Sequence, residues 1–390
     1  MSDTLLCPPP ADAEPATRPT LGQIFRQYGP AYRRRYGARM PREQLRVMDL
    51  LERCRTGALG HAVYRCTACG TVHAVPQSCG NRHCPQCQGG KAKQWLDKQL
   101  AGLLPCVYFL ITFTVPQELR RLIRRHPRKA YPALFVAAVA TLRELATNPK
   151  HLGSDQLGFT AVLHTWGRDL TYHPHVHCVV PGGALSADGQ HWLPSRVDFF
   201  VPVQAASLLF RAKLLELLAA AGLRDQVPRT AREKLWVVHC KPVGDGRRAL
   251  RYLAPYVYRV AISQRRLVKC EPGPDGLGRV TFTYRKSGSR RSRSLTVTAD
   301  EFIRRFLQHV LPRGFQKVRH YGFAHPRCRI DREWLKMLVT VTLEEVYVLL
   351  VAAPVVPVPP RPRCPRCGAE LTFVRFVPAP EQALLLVDTS

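Results

Sequence analysis

The sequence predicts an α+β fold with mainly antiparallel pairing, preceded by a zinc-ribbon-like module. Three observations carry this expectation. Strand-like and helix-like segments mix without the regular βαβ period of a parallel sheet. Two β runs flank the short polar turn GRDLTY at 167–172 and are candidates for a hairpin. Two Cys-x-x-Cys pairs stand fourteen residues apart before residue 90.

Taken in order, residues 1–19 are rich in Pro and Ala and read as a disordered tail. The spacing of Leu45, Met48 and Leu51, and of Val47 and Leu50, predicts helix within 20–60, beside the basic tract YRRRYG at 32–37. Residues 61–90 hold most of the clustered cysteines. CVYFLITFTV at 106–115, aromatic and β-branched, reads as a strand. RRLIRRHPRK at 120–129 and PALFVAAVATLREL after it read as helix. LGFTAVLHTW at 157–166 is the second β run, and TYHPHVHCVV at 171–180 lies beyond the turn. Further helix is expected over 203–224 and 246–262, and a strand in KLWVVHCKPVG at 234–244. A hairpin is expected over 279–298, turning at Lys286–Ser289, and Thr298 with Glu301 predicts a capping box for EFIRRFLQHVL. A proline-rich linker at 354–365 precedes CPRCG.

Charge narrows the partner. Lys and Arg outnumber Asp and Glu by 58 to 28, a formal charge of +30, which points to a polyanion. Nucleic acid fits better than an acidic membrane surface, because no amphipathic helix with a basic polar face stands out. MSDTLLCPPP does not read as a signal peptide. The most apolar stretch, 338–358, carries Glu344, Glu345 and two prolines and reads as a buried helix and linker, with no membrane span. A reducing interior is implied, where closely spaced cysteines read as metal ligands.

Cys66, Cys69, Cys84 and Cys87 are therefore expected to form one tetrahedral zinc site, with Gly70 freeing the backbone for the knuckle turn. Cys79, His73 and His83 could serve a second metal or hydrogen-bond within the loop. Cys364 and Cys367 form a half-site that either finds distant ligands or stays an unmetallated turn.

On a strand, His173, His175 and His177 share one face. Pro174 suits the first residue of a strand, which assigns His173 to the preceding turn and starts the strand near His175. His175 and His177 are the candidate ligands of a divalent ion, against the alternative of two satisfied half-buried side chains. Two imidazoles hold Mg²⁺ or Mn²⁺ poorly, so a third protein ligand is expected. Whether His164 faces them depends on the hairpin register. Tyr252 and Tyr256, four apart, would share a helix face among Arg247, Arg248, Arg251 and Arg259, a set suited to phosphate.

YRCTACGTVH with SCGNRHCPQCQ, LHTWGRDLTYHPHVHCVVPGGAL, RYLAPYVYRVAIS and ADEFIRRFLQHVLPRGFQKVRHYGF together resemble the HUH-type two-tyrosine transposases typified by insertion sequence 91, in the same order over residues 20–325. The resemblance implies an HUH-type ferredoxin-like antiparallel sheet flanked by helices. Combined with the residue reading, the chain is expected to divide into a tail (1–19), a helical and zinc-binding DNA-binding domain (20–100), a catalytic domain (101–325) with a helical insertion near 203–230, a helical segment (326–353) and a linker with a Cys-x-x-Cys tail (354–390). The resemblance further implies structural Zn²⁺, catalytic Mg²⁺ or Mn²⁺ at His175 and His177, and Tyr252 and Tyr256 as nucleophiles in rolling-circle DNA transposition. The expected partners are single-stranded DNA at the element termini, target DNA and host replication machinery, in the cytoplasm and nucleoid of a bacterium. The family has a basic residue where this chain has Pro255. A proline there is harmless near a helix start and otherwise removes a hydrogen bond to the Arg251 carbonyl.

The rival from another class is a zinc-containing DNA-binding protein without catalysis, which needs neither the histidines nor the tyrosines. Acidic residues are too sparse for an acidic-triad transposase. A tyrosine recombinase would not call for paired histidines.

Overall fold

The computed structural model describes residues 18–258, 261–273, 276–285, 289, 291–344 and 362–379. Nearly all of the expected N-terminal tail, most of the proline-rich linker, Arg259 and Lys286 lie outside these residues.

The chain opens with helices α1 (Leu21–Tyr36) and α2 (Arg42–Arg53). The Thr20 hydroxyl accepts from the Gln23 N–H, and the Gln23 side chain accepts from the Thr20 N–H, so a capping box starts α1. Then come β1 (His61–Cys66), β2 (Val72–Pro76), α3 (Gly89–Ala101), β3 (Tyr108–Thr114), α4 (Arg120–Arg125) and α5 (Pro127–Thr147). The hairpin expected around GRDLTY forms from β4 (Phe159–Trp166) and β5 (Tyr172–Pro181). After it follow β6 (Gly183–Leu185), β7 (Trp192–Pro194), α6 (Val203–Ala220), α7 (Arg229–Glu233), β8 (Val237–Pro242) and α8 (Arg247–Tyr258). The last elements are β9 (Leu267–Pro272), β10 (Gly278–Arg285), β11 (Ser292–Thr298), α9 (Ala299–Leu307), β12 (Val318–Tyr321), α10 (Arg332–Thr342) and β13 (Leu371–Val377).

A five-stranded antiparallel sheet in the order β12-β4-β5-β3-β8 forms the centre. Helices cover both of its faces, so β5, in the middle, is buried along nearly its whole length. Val176, Cys178 and Val180 of β5 face the larger core, with Phe109, Ile111 and Phe113 of β3 and apolar residues of α5 and α6. The alternate residues face α3 and α8, where Val162 and Val179 pack with Trp95, Leu250, Leu253 and Val257. Burying Leu250, Leu253 and Val257 contributes about 1.5–3 kcal/mol for each side chain and holds α8 against that face.

A second core joins the N-terminal helices to the segment from Ala261 to Leu307. Phe25 of α1 meets Phe306 of α9 edge to face with ring centroids 5.5 Å apart, and Met48, Phe282 and Phe302 are buried with them. Gln44 donates to the Leu307 carbonyl at 3.0 Å, and Arg35 pairs with Asp300. This core crosses the domain boundary expected at residue 100.

Two local expectations are corrected. β5 begins at Tyr172, so His173 lies on the strand and Pro174 inside it. The strand tolerates proline there because pairing with β3 ends at His175, and the β4 ladder shifts register between His164 and Trp166. Only half of the second capping box forms: Thr298 accepts from the Glu301 N–H, while the Glu301 carboxylate turns to Arg304 and Arg305.

Candidate metal centre and its neighbours

The β4–β5 register pairs His164 with His175 and Val162 with His177. Side chains on one sheet face thereby converge, and the ligand nitrogens of His164, His175 and His177 lie within 4.8 Å of one another. Ring centroids are 5.3 Å apart for His164–His175, 4.5 Å for His164–His177 and 4.7 Å for His175–His177. His164 is thus the third ring that two imidazoles call for.

Two of the rings are oriented by their neighbours. The His175 Nδ1–H donates to the His173 carbonyl at 2.7 Å, and His177 Nδ1 lies 2.9 Å from the Thr112 hydroxyl on β3. In both, Nδ1 is engaged, which leaves Nε2 as the nitrogen available to a metal, the way metal-ligating histidines are commonly held. Burial pushes the His164 and His175 pKa values well below the ordinary range; His177 and His175 push His164 further down, and His177 and His173 push His175 further down. Burial, then His173, lowers His177 to about 4. All three rings are neutral near pH 7, as ligation requires. His173 stays outside the cluster, because an Arg120 N–H donates to its Nδ1 at 2.6 Å.

Helix α8 brings Tyr252 to this centre. Its ring is 6.5 Å from the His177 ring and perpendicular to it, and the side chain is 43% exposed, so a large substrate can reach it. Tyr256 follows one turn later in the same helix, and its side chain lies outside the described residues. The helix starts eight residues before Pro255 and runs on to Tyr258, so the proline is interior and cannot donate to the Arg251 carbonyl. Arg247, Arg248 and Arg251 are exposed, with Arg247 paired to Asp245.

Other cations stand nearby. Lys317 is buried with its ammonium 5.7 Å from the centre of the Trp166 ring, and burial, then Arg82, pushes its pKa down to about 7. Arg82, Lys91, Arg319 and Arg327 line a groove with Trp95 beside the sheet. Neither Lys317 nor Arg82 carries a sequence signal that separates it from the other basic residues.

The cysteines do not assemble as the sequence suggests. Cys66 and Cys69 are not joined by Cys84 and Cys87. Instead Cys54, Cys79, Cys84 and Cys87 form one cluster, and Cys66, Cys69, Cys364 and Cys367 another. The reason is the β1–β2 hairpin, which puts the Cys66–Cys69 knuckle at its tip, while Cys54 and Cys79 flank its base. Five residues of strand separate the two by roughly 17 Å. In the base cluster, Cys54–Cys84, Cys54–Cys87 and Cys79–Cys87 sulfurs are 3.8, 3.6 and 3.6 Å apart. A tetrahedron with 2.3 Å Zn–S bonds has edges of about 3.8 Å. The donor set and its spacing fit zinc.

Comparison with known proteins is consistent with this arrangement. A family described as "Putative transposase" matches residues 158–332, and one described as "Transposase zinc-binding domain" matches 24–115. The Sinorhizobium fredii protein named "Putative transposase y4qJ" is 43% identical over 330 residues, 80% of this chain and 81% of its own. The transposase for insertion sequence element IS801 of Pseudomonas savastanoi pv. phaseolicola is 28% identical over 290 residues, 70% of this chain and 68% of its own. No solved structure matches.

Proposed function

Because this chain belongs to the insertion sequence 91 family of transposases, with their N-terminal zinc-binding domain, we propose that it nicks and transfers single DNA strands by HUH chemistry, with the five-stranded sheet as the ferredoxin-like core. The observation that carries this reading is the position of Tyr252, 6.5 Å by ring centroids from His177 in a cluster of three histidines.

His164, His175 and His177 are the residues to hold Mg²⁺ or Mn²⁺. An ion held there would supply Lewis-acid withdrawal of charge from the scissile phosphate. The Tyr252 phenol oxygen attacks the phosphorus, its proton passing to solvent. The P–O3′ bond breaks, and the departing 3′ oxygen takes up a proton. The product is a 5′-phosphotyrosine and a free 3′-hydroxyl, so the phosphodiester energy is kept and rejoining needs no ATP. Tyr256 provides a second nucleophile, so that another strand can be cut while the first is still attached. Rolling-circle transposition needs that second cut.

Arg247, Arg248 and Arg251 on the tyrosine helix, together with Arg259, which lies outside the described residues, are the proposed phosphate contacts, and the groove lined by Arg82, Lys91, Arg319 and Arg327 suits the rest of a single strand. Zinc at Cys54, Cys79, Cys84 and Cys87 stiffens the module that binds the terminal DNA. Target DNA and host replication proteins are the further partners, in a bacterial cytoplasm. No described helix is long and apolar enough to cross a membrane.

The test is incubation with labelled single-stranded terminal DNA and Mn²⁺, followed by denaturing electrophoresis. The expected result is a covalent adduct that is lost in Tyr252→Phe, with Tyr256→Phe separating the role of the second tyrosine. Persistent DNA binding with no adduct on any terminus overturns the reading in favour of a non-catalytic zinc-containing DNA-binding protein.

A further inference from the structure

We infer that Cys66, Cys69, Cys364 and Cys367 form a second zinc site, one that clasps the C-terminal tail to the N-terminal module. Neither matched family region reaches Cys364 or Cys367, which lie beyond residue 332.

The two knuckles are built alike. In Cys66-Thr-Ala-Cys69-Gly70 the Gly70 N–H donates to the Cys66 carbonyl at 3.2 Å, and the Cys66 N–H donates to the Thr71 carbonyl at 2.9 Å. In Cys364-Pro-Arg-Cys367-Gly368 the Gly368 N–H donates to the Cys364 carbonyl at 2.8 Å, and the Cys364 N–H to the Ala369 carbonyl at 2.8 Å. Both glycines have positive φ, +70° and +73°, a conformation that costs glycine little. Two such turns meeting face to face make the tetrathiolate cage of a zinc ribbon, here assembled from segments about 300 residues apart.

The sulfurs meet at the right spacing. Cys66–Cys367 is 3.4 Å and Cys69–Cys364 is 3.8 Å, with all four within 4.8 Å. These distances are far beyond a disulfide bond, and all four cysteines are free. His73 Nε2 lies 3.3 Å from the Cys364 sulfur, within reach to donate to a thiolate.

The surrounding lobe needs such a staple. Its sheet, in the order β13-β1-β2, pairs the tail with the N-terminal hairpin from His61↔Val377 to Cys66↔Leu371. Among the described residues its buried cluster is Cys66, Cys364 and Leu371, with Ala62 also buried, while Val72, Val75, Phe373 and Phe376 are exposed. A lobe this small cannot hold itself together by apolar burial, and a metal commonly supplies the difference. The site closes the chain on itself, independently of what the histidine centre does.

Zinc content of the purified full-length chain tests this. The expected stoichiometry is two per chain, falling to one in Cys364→Ser/Cys367→Ser with the far-ultraviolet circular dichroism otherwise kept. A wild-type content of one, or two retained in that variant, overturns the site. A second measurement does not depend on the variant folding. With a protease site placed in the 350–358 segment, the cut tail should co-elute with the body until a chelator is added. Separation without chelator, or co-elution that survives complete zinc removal, also overturns it.

Discussion

His164 stands directly across the β4–β5 ladder from His175, their ring centroids 5.3 Å apart, one strand supplying a third ring to the pair carried by the other. That relationship turns an alternating His-x-His pair into a three-nitrogen cluster, which is enough for a hard divalent ion once phosphate oxygens join it.

His164→Ala should therefore leave DNA binding intact and raise the Mn²⁺ concentration for half-maximal adduct formation by at least about tenfold. Metal titration of the cleavage assay checks this. An unchanged requirement would remove His164 from the ligand set.

Thr112 acts through His177. Thr112→Val removes the hydroxyl 2.9 Å from Nδ1 while keeping a β-branched side chain on β3. Metal affinity should fall by about tenfold with little change in the denaturation midpoint, and Thr112→Ser should restore it. An unchanged metal affinity in the Val variant would show that the hydroxyl does not act through His177.

Pro255 interrupts the hydrogen-bond ladder of α8. Pro255→Ala returns an N–H for the Arg251 carbonyl and should stabilise the protein by about 1–3 kcal/mol in urea denaturation. A loss of stability would mean that the helix depends on the proline.

His309 sets one pH limit. It is fully buried, its nitrogens bonded to Thr165 and to the Leu170 carbonyl, and burial lowers its pKa from 6.5 to about 4. Between those values the unfolded chain binds the proton and the folded one does not, so stability is complete above pH 6.5 and declines as the pH falls toward 4. The loss is on the order of 3 kcal/mol for this residue. Urea midpoints at pH 7 and pH 4.5 should converge partly in His309→Gln relative to wild type. An identical pH dependence in the two proteins would exclude the residue.

Affinity for single-stranded terminal DNA should fall with salt. If about six phosphates are neutralised, log affinity declines with log salt at a slope near −4. Fluorescence anisotropy across a salt series measures it, and a slope near zero would remove the charge-based contact.

The amino-acid sequence alone determined the chemistry available here: a formal charge of +30, imidazoles at His175 and His177, tyrosines four apart, and thiols in Cys-x-x-Cys turns. It also marked the β4–β5 hairpin and most helices, because hydrophobic period and turn residues act over a few neighbours. Tertiary structure alone decided which of these groups meet. A one-residue slip of β4 against β5 would have turned His164 to the opposite face, and nothing local to either strand sets that register. The length of the β1–β2 hairpin carried Cys66 and Cys69 away from Cys84 and Cys87. Their partners came from the other end of the chain, because a thiolate cage is closed by distance in space and is indifferent to distance in sequence.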